Sequence, residues 1–326
     1  MNSELNPKTE LVCAIDLGGT HLRAANIDRT GRINFRVRHQ TPVTASPAKI
    51  LDAIAAAVHQ CKNDAELVGA SLKAISLVIP GTVDAGTGLA IKIPNVPCLD
   101  GFDLADALTR ASHLRAVLEN DANAAVLGEM WRGAGRGCSS IVCLTLGTGV
   151  GGGIVVDGKL WRGANHSAGE IGHMCLEPQG VGCACGSRGC LEVYASATGI
   201  VRMANEFLAG DSNSVLADND QLTSESVYAA AMRGDELALR VFRSMGSYLG
   251  VGLANVINLL DPQIVIIGGG VASAWEIFAQ PMRDAIAART FSSLATTRIV
   301  RAECGDDAGL MGAAYLAFSR GDVAAA

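Results

Sequence analysis

The sequence predicts two α/β domains of like topology, and three observations lead there. At 326 residues the chain exceeds what one ordinary hydrophobic core organises. Short apolar runs of strand character alternate with segments of helical period, the pattern of layered α/β folds. A shift of 129 residues lays residues 12–16 on 141–145, Leu17-Gly18 on Leu146-Gly147, and Asp28 on Asp157. Both stretches therefore read as an apolar strand, a Gly/Thr turn, a second strand and an Asp-containing turn.

Residues 11–16 (LVCAID) are a continuous apolar run ending at a Gly-rich turn, as a buried strand does. Strands at 21–27 and 32–38 follow, separated by the turn Asp28-Arg29-Thr30-Gly31. In the second, Ile33, Phe35 and Val37 alternate with Arg32, Asn34, Arg36 and Arg38, the period of a half-buried strand. Ser46 and Pro47 mark a helix start as N-cap and first helical residue, with Ile50, Leu51, Ile54 and Val58 on its apolar side. A strand at 74–79, a helix at 103–112, a strand at 116–119 and a helix at 122–131 come next. After the repeat, helices are expected near 198–208, 225–233 and 236–259, a strand at 263–267, a helix at 275–289, a strand at 297–301 and a helix at 308–319. Gly246, Gly250 and Gly252 inside the long helix cost helix propensity, so close backbone packing is expected there.

The chain is 49% hydrophobic and 18% charged with no low-complexity tract, the composition of a globular protein. A net charge of −6 argues against a nucleic-acid or membrane surface, which needs clustered Lys and Arg. The first ten residues are polar, so no secretory signal is expected, and apolar runs are too short or too broken by Gly to cross a membrane. A cytoplasmic chain with reduced thiols is the expectation. Of its ten cysteines, Cys13, Cys61, Cys98, Cys138, Cys143, Cys175 and Cys304 are scattered and read as small core residues.

Five stretches carry chemistry. Asp16-Leu17-Gly18-Gly19-Thr20 sits between two strands; its glycines can bring N–H groups to phosphate oxygens, Thr20 adds a hydroxyl, and Asp16 could hold Mg²⁺. An ordinary hairpin turn explains the same residues equally well, and the lack of a following helix excludes a Rossmann fingerprint. Residues 146–153 (LGTGVGGG) hold five glycines in seven positions, more than a hairpin needs. Gly268-Gly269-Gly270, after the strand, is a third such surface, and a helix start behind it would favour an anion. Together they point to a nucleotide. Glu119-Asn120-Asp121 lies where a strand meets a helix; a helix cap and a proton-accepting carboxylate are both open readings. Finally His173, Cys183, Cys185 and Cys190, punctuated by glycines, match a tetrahedral Cys₃His zinc site better than a disulfide, which three crowded cysteines in a reducing compartment make a poor rival.

These motifs resemble, in order and over residues 11–319, the glucokinase-like members of the ROK family (repressors, open reading frames and sugar kinases): DLGGT (16–20), PGTVD (80–84), ENDANAA (119–125), LGTGVGGG (146–153), AGEIGH (168–173), CACGSRGCLE (183–192) and IIGGGV (266–271). The resemblance implies the two-domain actin- and hexokinase-like (ribonuclease H-like) ATPase fold, with substrates in an interdomain cleft. It implies a smaller domain of residues 1–118 plus 306–326, closed by a returning C-terminal helix, and a larger one of 119–305 carrying the zinc loop. It makes Asp121 the general base. Gly81, Asn95, Asn120, Glu170, His173 and Glu192 become sugar-binding residues. Asp16, Gly18, Gly19, Thr20, Thr148 and Gly149 would surround the phosphates of ATP and Mg²⁺, Gly268, Gly269 and Gly270 would lie near the nucleoside, and His173, Cys183, Cys185 and Cys190 would bind zinc. The activity implied is phosphorylation of glucose or a related hexose such as N-acetylglucosamine or N-acetylmannosamine, by a homo-oligomer, dimer or tetramer.

The resemblance extends to the family's transcriptional repressors, which carry a helix-turn-helix domain ahead of this region; with ten polar residues before the first strand, the expectation is a kinase and not such a repressor. Two departures fall near the expected sugar pocket. The loop 94–102 lacks the Trp common in family glucokinases, and His166 stands where the family often has Gly.

Overall fold

The computed structural model describes residues 9–42, 46–210, 213–219, 221–291 and 296–323, with side chains to Ser319. Most of the polar N-terminal stretch lies outside the described residues. In chain order, β1 (Glu10–Leu17), β2 (His21–Asp28) and β3 (Ile33–Gln40) lead into α1 (Pro47–Leu67) and β4 (Ser71–Ile79). Then come β5 (Thr82–Asp84), β6 (Leu89–Lys92) and β7 (Phe102–Asp103), which make a small antiparallel sheet, α2 (Leu104–Ser112), β8 (Arg115–Asn120) and α3 (Asp121–Arg132). The repeat begins with β9 (Ile141–Leu146), β10 (Val150–Val156) and β11 (Lys159–Leu160). After it follow α4 (Glu192–Ala195), α5 (Ala197–Gly210), α6 (Ser224–Met232), α7 (Glu236–Leu260), β12 (Ile264–Gly268), α8 (Trp275–Ala287), β13 (Arg298–Arg301) and α9 (Ala308–Val323).

The duplication read at a shift of 129 residues is present in both large sheets. Their strand orders are β3-β2-β1-β4-β8 and β11-β10-β9-β12-β13, so each strand of the first has a counterpart in the second. In both, an antiparallel hairpin arm precedes parallel strands, β4 beside β1 and β12 beside β9. The Ser46 cap is also as expected: its hydroxyl accepts the Lys49 N–H, with Pro47 opening α1.

The chain divides into two compact units, Met1–Gly137 with Gly153–Ala168 and Glu303–Ala326, and Cys138–Gly152 with Gly169–Ala302. The boundary expected at 118/119 therefore falls at 137/138, and residues 153–168 return to the first unit. Helix α3 is the reason. It packs on α9 so closely that a Cβ on Gly128 would overlap the Ala308 carbonyl, and one on Gly312 would overlap the Ala124 carbonyl. Glu129, fully buried, holds this corner. Its carboxylate accepts the backbone N–H groups of Ala134 (2.8 Å), Glu303 (3.1 Å) and Cys304 (2.7 Å). Burial, and then the Glu129 charge, push the Cys304 thiol up to about 12.

In the first unit the sheet is covered on both faces. Cys13, Ile15 and Leu17 of β1 join Ile50, Ile54 and Cys61 of α1 in one core cluster. Val12 and Ala14, pointing the other way, join Ala124, Leu127, Leu310 and Ala314 of α3 and α9. In the second unit α7 and α8 pack backbone to backbone, as the glycines of the long helix suggested: a Cβ on Gly250 would meet the Met282 carbonyl and the Ala285 side chain. Of the scattered cysteines, Cys13, Cys61 and Cys143 are buried, whereas Cys175 is exposed, because its backbone bridges to Cys190 at the edge of the metal-ligand loop. Among the described residues no helix is long and apolar enough to cross a membrane.

The α3–α9 contact leaves no room for a methyl group, so Gly312→Ala should cost about 3 kcal/mol through overpacking. Gly210→Ala, where an added Cβ meets nothing within 4 Å, should stay within about 1 kcal/mol of the parent; chemical denaturation of the three proteins measures the difference.

Candidate active site

In the first unit the candidate residues converge at the end of β8. Asn120 has extended dihedrals and its Oδ1 accepts the Asn123 N–H at 2.9 Å, so Asn120 is the N-cap of α3. Its Nδ2 donates to the Gly81 carbonyl (2.9 Å) and to Asp121 Oδ1 (3.1 Å). Asp121 is thereby spared the capping role. It sits exposed at the first position of the helix, where the dipole favours an anion, and its Oδ1 also accepts the Ala122 N–H at 2.8 Å. Gly81 has φ +105° and a Cβ there would overlap the Lys92 carbonyl, so no other residue fits this turn.

Beneath Asp121 lies a charge that sequence reading missed. Glu119 is 1% exposed, and its carboxylate receives the Arg162 guanidinium through Nε (2.9 Å) and Nη2 (2.6 Å) on one oxygen. The other oxygen accepts the Asn123 amide and the Asn120 backbone N–H, both at 3.1 Å. The ENDANAA motif held Glu119 in view; nothing in the sequence singled out Arg162. His166, at φ +58°, adopts the left-handed conformation that glycine takes freely, and its Nε2 lies 3.5 Å from Asp84 Oδ1. The Thr87 side chain and the Gly86 N–H hold the Asp84 carboxyl below its usual range, with His166 a smaller contributor.

The DLGGT stretch is a closed hairpin turn: the Gly18 N–H donates to the His21 carbonyl (2.9 Å), and Thr41 Oγ1 donates to the Gly18 carbonyl (2.7 Å). Thr20 is exposed, and Asn95 packs over Gly19, its Cβ 3.4 Å from where a Gly19 Cβ would stand. Asp16 is engaged by Arg23, which also donates to the Asp306 carbonyl at 3.0 Å.

In the second unit the Gly147–Gly149 turn is held by its own Gly147 N–H to Gly149 carbonyl bond (2.9 Å) and by the Ala197 N–H on the Gly147 carbonyl (2.8 Å). Thr148 is exposed. A cavity of about 390 Å³ opens beside it, lined by Thr148, Ile200, Glu225, Tyr228, Gly270 and Val271 among others. Gly268 ends β12 in the core and Gly269 has φ +85°. The helix expected from 275 is α8, starting at Trp275, and a 3-10 turn, Gly270–Ala274, links it to these glycines. Ile200, Glu225 and Tyr228 lie on two helices far from any glycine motif, and no sequence signal marked them.

Glu192 opens α4, and its Oε2 accepts the Val150 N–H (3.0 Å), which ties the glycine turn to the cysteine loop. His173, Cys183, Cys185 and Cys190 bring one ligand atom each within 4.8 Å of one another. Cys185 and Cys190 sulfurs are 3.7 Å apart, and Cys183 Sγ is 3.8 Å from His173 Nδ1. The edge of a tetrahedron with zinc–sulfur bonds of about 2.3 Å is about 3.8 Å, so spacing and donor chemistry both fit a four-coordinate soft cation. His173 Nε2 faces Glu170 Oε2 at 3.9 Å. Behind the loop, Tyr194 and Tyr248 stack at 4.1 Å, and both hydroxyls donate to Glu177.

The structure thus groups Gly81, Asn120 and Asp121 in one unit, and Glu170, His173, Glu192 and the cysteines in the other. The profile of the ROK family matches residues 12–320. The chain is 38% identical over 315 residues to the glucokinase of Halalkalibacterium halodurans, covering 93% of each. A ROK family glucokinase from Streptomyces griseus, solved in complex with glucose and AMPPNP, superposes with a TM-score of 0.81 at 35% identity, covering 94% of this chain and 98% of that one. A ROK family transcriptional regulator, a homologue of the E. coli MLC protein, superposes with a TM-score of 0.87 at 26% identity over 94% of this chain and 77% of its own.

Proposed function

The chain belongs to the ROK family, and from that premise we propose that it is an ATP-dependent hexose kinase that phosphorylates the 6-hydroxyl of glucose. The observation that carries the reading is the division of labour at the end of β8. Asn120 caps α3 and leaves the Asp121 carboxylate exposed beside it. Asp121 accepts the proton of the sugar hydroxyl as its oxygen bonds to the γ-phosphorus and the bond to the β-phosphate oxygen breaks, releasing ADP. The sugar-binding residues are Asn120, Gly81, held by the same amide, and Asn95 in the first unit, and Glu170, His173 and Glu192 in the second.

The donor is ATP. Gly19, Thr20, Thr148 and Gly149 offer N–H and hydroxyl groups to its phosphates, Gly18 shapes the turn through its N–H on the His21 carbonyl, and the cavity beside Thr148 and Gly270 takes the nucleoside. Magnesium bound with ATP neutralises charge on the phosphate oxygens, and Asp16 is the carboxylate at the glycine turn that would hold it. Zinc, held by His173, Cys183, Cys185 and Cys190, would fix the loop that carries Glu192 and set the His173 tautomer so that Nε2 faces the sugar. Family membership supports a cytoplasmic, glycolytic role and a homo-oligomeric state, dimer or tetramer.

A coupled phosphorylation assay over a panel of hexoses and N-acetylhexosamines with ATP tests the reading. Glucose should give the highest kcat/KM. A higher value for N-acetylglucosamine or N-acetylmannosamine overturns the sugar assignment alone, and no turnover with any sugar overturns the kinase.

Asp121→Asn should lower kcat by about 10²–10⁴-fold, the usual loss with a general base, while calorimetry still detects sugar binding. Near-parental kcat sinks the assignment.

Metal analysis should find one zinc per chain, and chelation should lower both the thermal midpoint and sugar affinity. If zinc-depleted protein stays folded and binds glucose as tightly as before, the metal and the sugar site are independent.

A further inference from the structure

Glu119 is a buried carboxylate with every lone pair engaged: two bonds from Arg162, one from Asn123, one from the Asn120 backbone. The arrangement carries a cost. Asn123, 4% exposed, gives its amide to Glu119 while its own Oδ1, among the described residues, finds no partner, which leaves a buried acceptor desolvated and unsatisfied. A buried ion pair is in general no more stable than well-packed apolar residues of the same volume. Stability alone therefore gives no reason for charges at this point.

Position does. Glu119 immediately precedes Asn120 and Asp121. Arg162 lies at the base of the loop 162–168, which its carbonyl closes by accepting the Ala168 N–H at 3.0 Å, and Gly169 and Glu170 follow directly. Within it His166 holds the left-handed φ of +58°, which costs a non-glycine residue, while Gly163 takes its φ of +71° freely. It is stitched to the first unit by two contacts, His166 on Asp84 and Arg162 on Glu119. Of these only Arg162 is a charge-assisted, two-pronged contact to a buried group. A planar fork with two N–H bonds to one carboxylate fixes direction as well as distance, which a lysine ammonium does not.

We propose that Glu119 and Arg162 are a positioning pair for sugar phosphorylation. The shared carboxylate sets Asn120 and Asp121 on one side and the loop 162–168, which Arg162 anchors, on the other. Neither side chain is a catalytic residue; the pair acts through the residues it places. The proposal rests on the kinase reading above.

The test uses full-length protein and four variants: Arg162→Lys, Arg162→Ala, Glu119→Gln, and the double apolar replacement Glu119→Leu with Arg162→Met. Thermal unfolding is measured beside kcat and the KM of each substrate. In Arg162→Lys and Glu119→Gln, kcat/KM for glucose should fall by about 10²-fold, the size of a roughly 1 Å misplacement, with KM for ATP unchanged within about twofold. Millimolar guanidinium should restore part of the activity of Arg162→Ala and none of the activity of Glu119→Gln. The double variant should fold, since it leaves no unpaired charge, and should be as impaired as the single ones. A folded double variant with parental kcat/KM for glucose overturns the pair, as does an equal loss toward glucose and ATP. A parent that phosphorylates no sugar overturns the kinase reading instead, and the positioning role falls with it.

Discussion

The contact on which the first unit depends is the approach of α3 to α9 at Gly128 and Gly312, where backbone meets backbone with no side chain between. Two helices at that separation cannot slide or rotate past one another without collision, so the axis of α3 is fixed by steric exclusion as much as by attraction. Asn120 and Asp121 stand at the N-terminus of that axis. Their direction is inherited from a helix crossing one to two turns away, and the hydrogen bonds around Glu119 refine what the crossing already sets. Glu129 extends the same corner: its three backbone donors hold the segment after α3 and the segment before α9 to a single carboxylate.

The second unit solves a different problem, that of making a loop without regular structure hold its shape. Residues 174–191 carry little secondary structure, yet they present Cys183, Cys185 and Cys190 in a close cluster with His173. The loop's backbone bonds are local turns, such as the Cys183 N–H on the Ser187 carbonyl at 2.8 Å. Its outer side is held by Glu177 between two stacked tyrosines, and its end by Glu192 on the glycine turn. A metal ion held by His173 and the three cysteines would add the remaining cross-link, and through Glu177 and Glu192 the loop, the glycine turn and α7 share one set of supports.

Much of this was legible in the sequence because the signals are periodic or chemical. The buried run of β4, the alternation of β3, the Ser46-Pro47 cap and the spacing of His173 with three cysteines each have one simple physical reading, and the structure has each element where that reading put it. The doubled hairpin was visible for the same reason. What escaped lies where meaning comes from distant partners. Short strands such as β5 and β7 have too few residues for a period. Arg162 reads as a surface arginine until Glu119 is beside it, and Tyr228 as an amphipathic-helix residue until the cavity is seen. The division at 137/138 differs from the 118/119 that the resemblance implied, and Gly128 of α3 gains its meaning only from α9, whose sequence lies far along the chain. His166 was noticed only as an exception to the family. Its left-handed dihedral supplies the physical basis, since glycine takes that conformation without strain.

The first unit is discontinuous: it is begun by the opening residues and finished by those after 302. During synthesis the sheet of β1, β2, β3, β4 and β8 leaves the ribosome long before α9 does. Until then one of its faces, with Val12, Ala14 and Val78, has α3 over it but not α9. The second unit can complete its own core in that interval. Contacts between residues so far apart in sequence form late and slowly, so that face stays partly open until α9 has emerged. Loss of α9 would leave α3 alone over it.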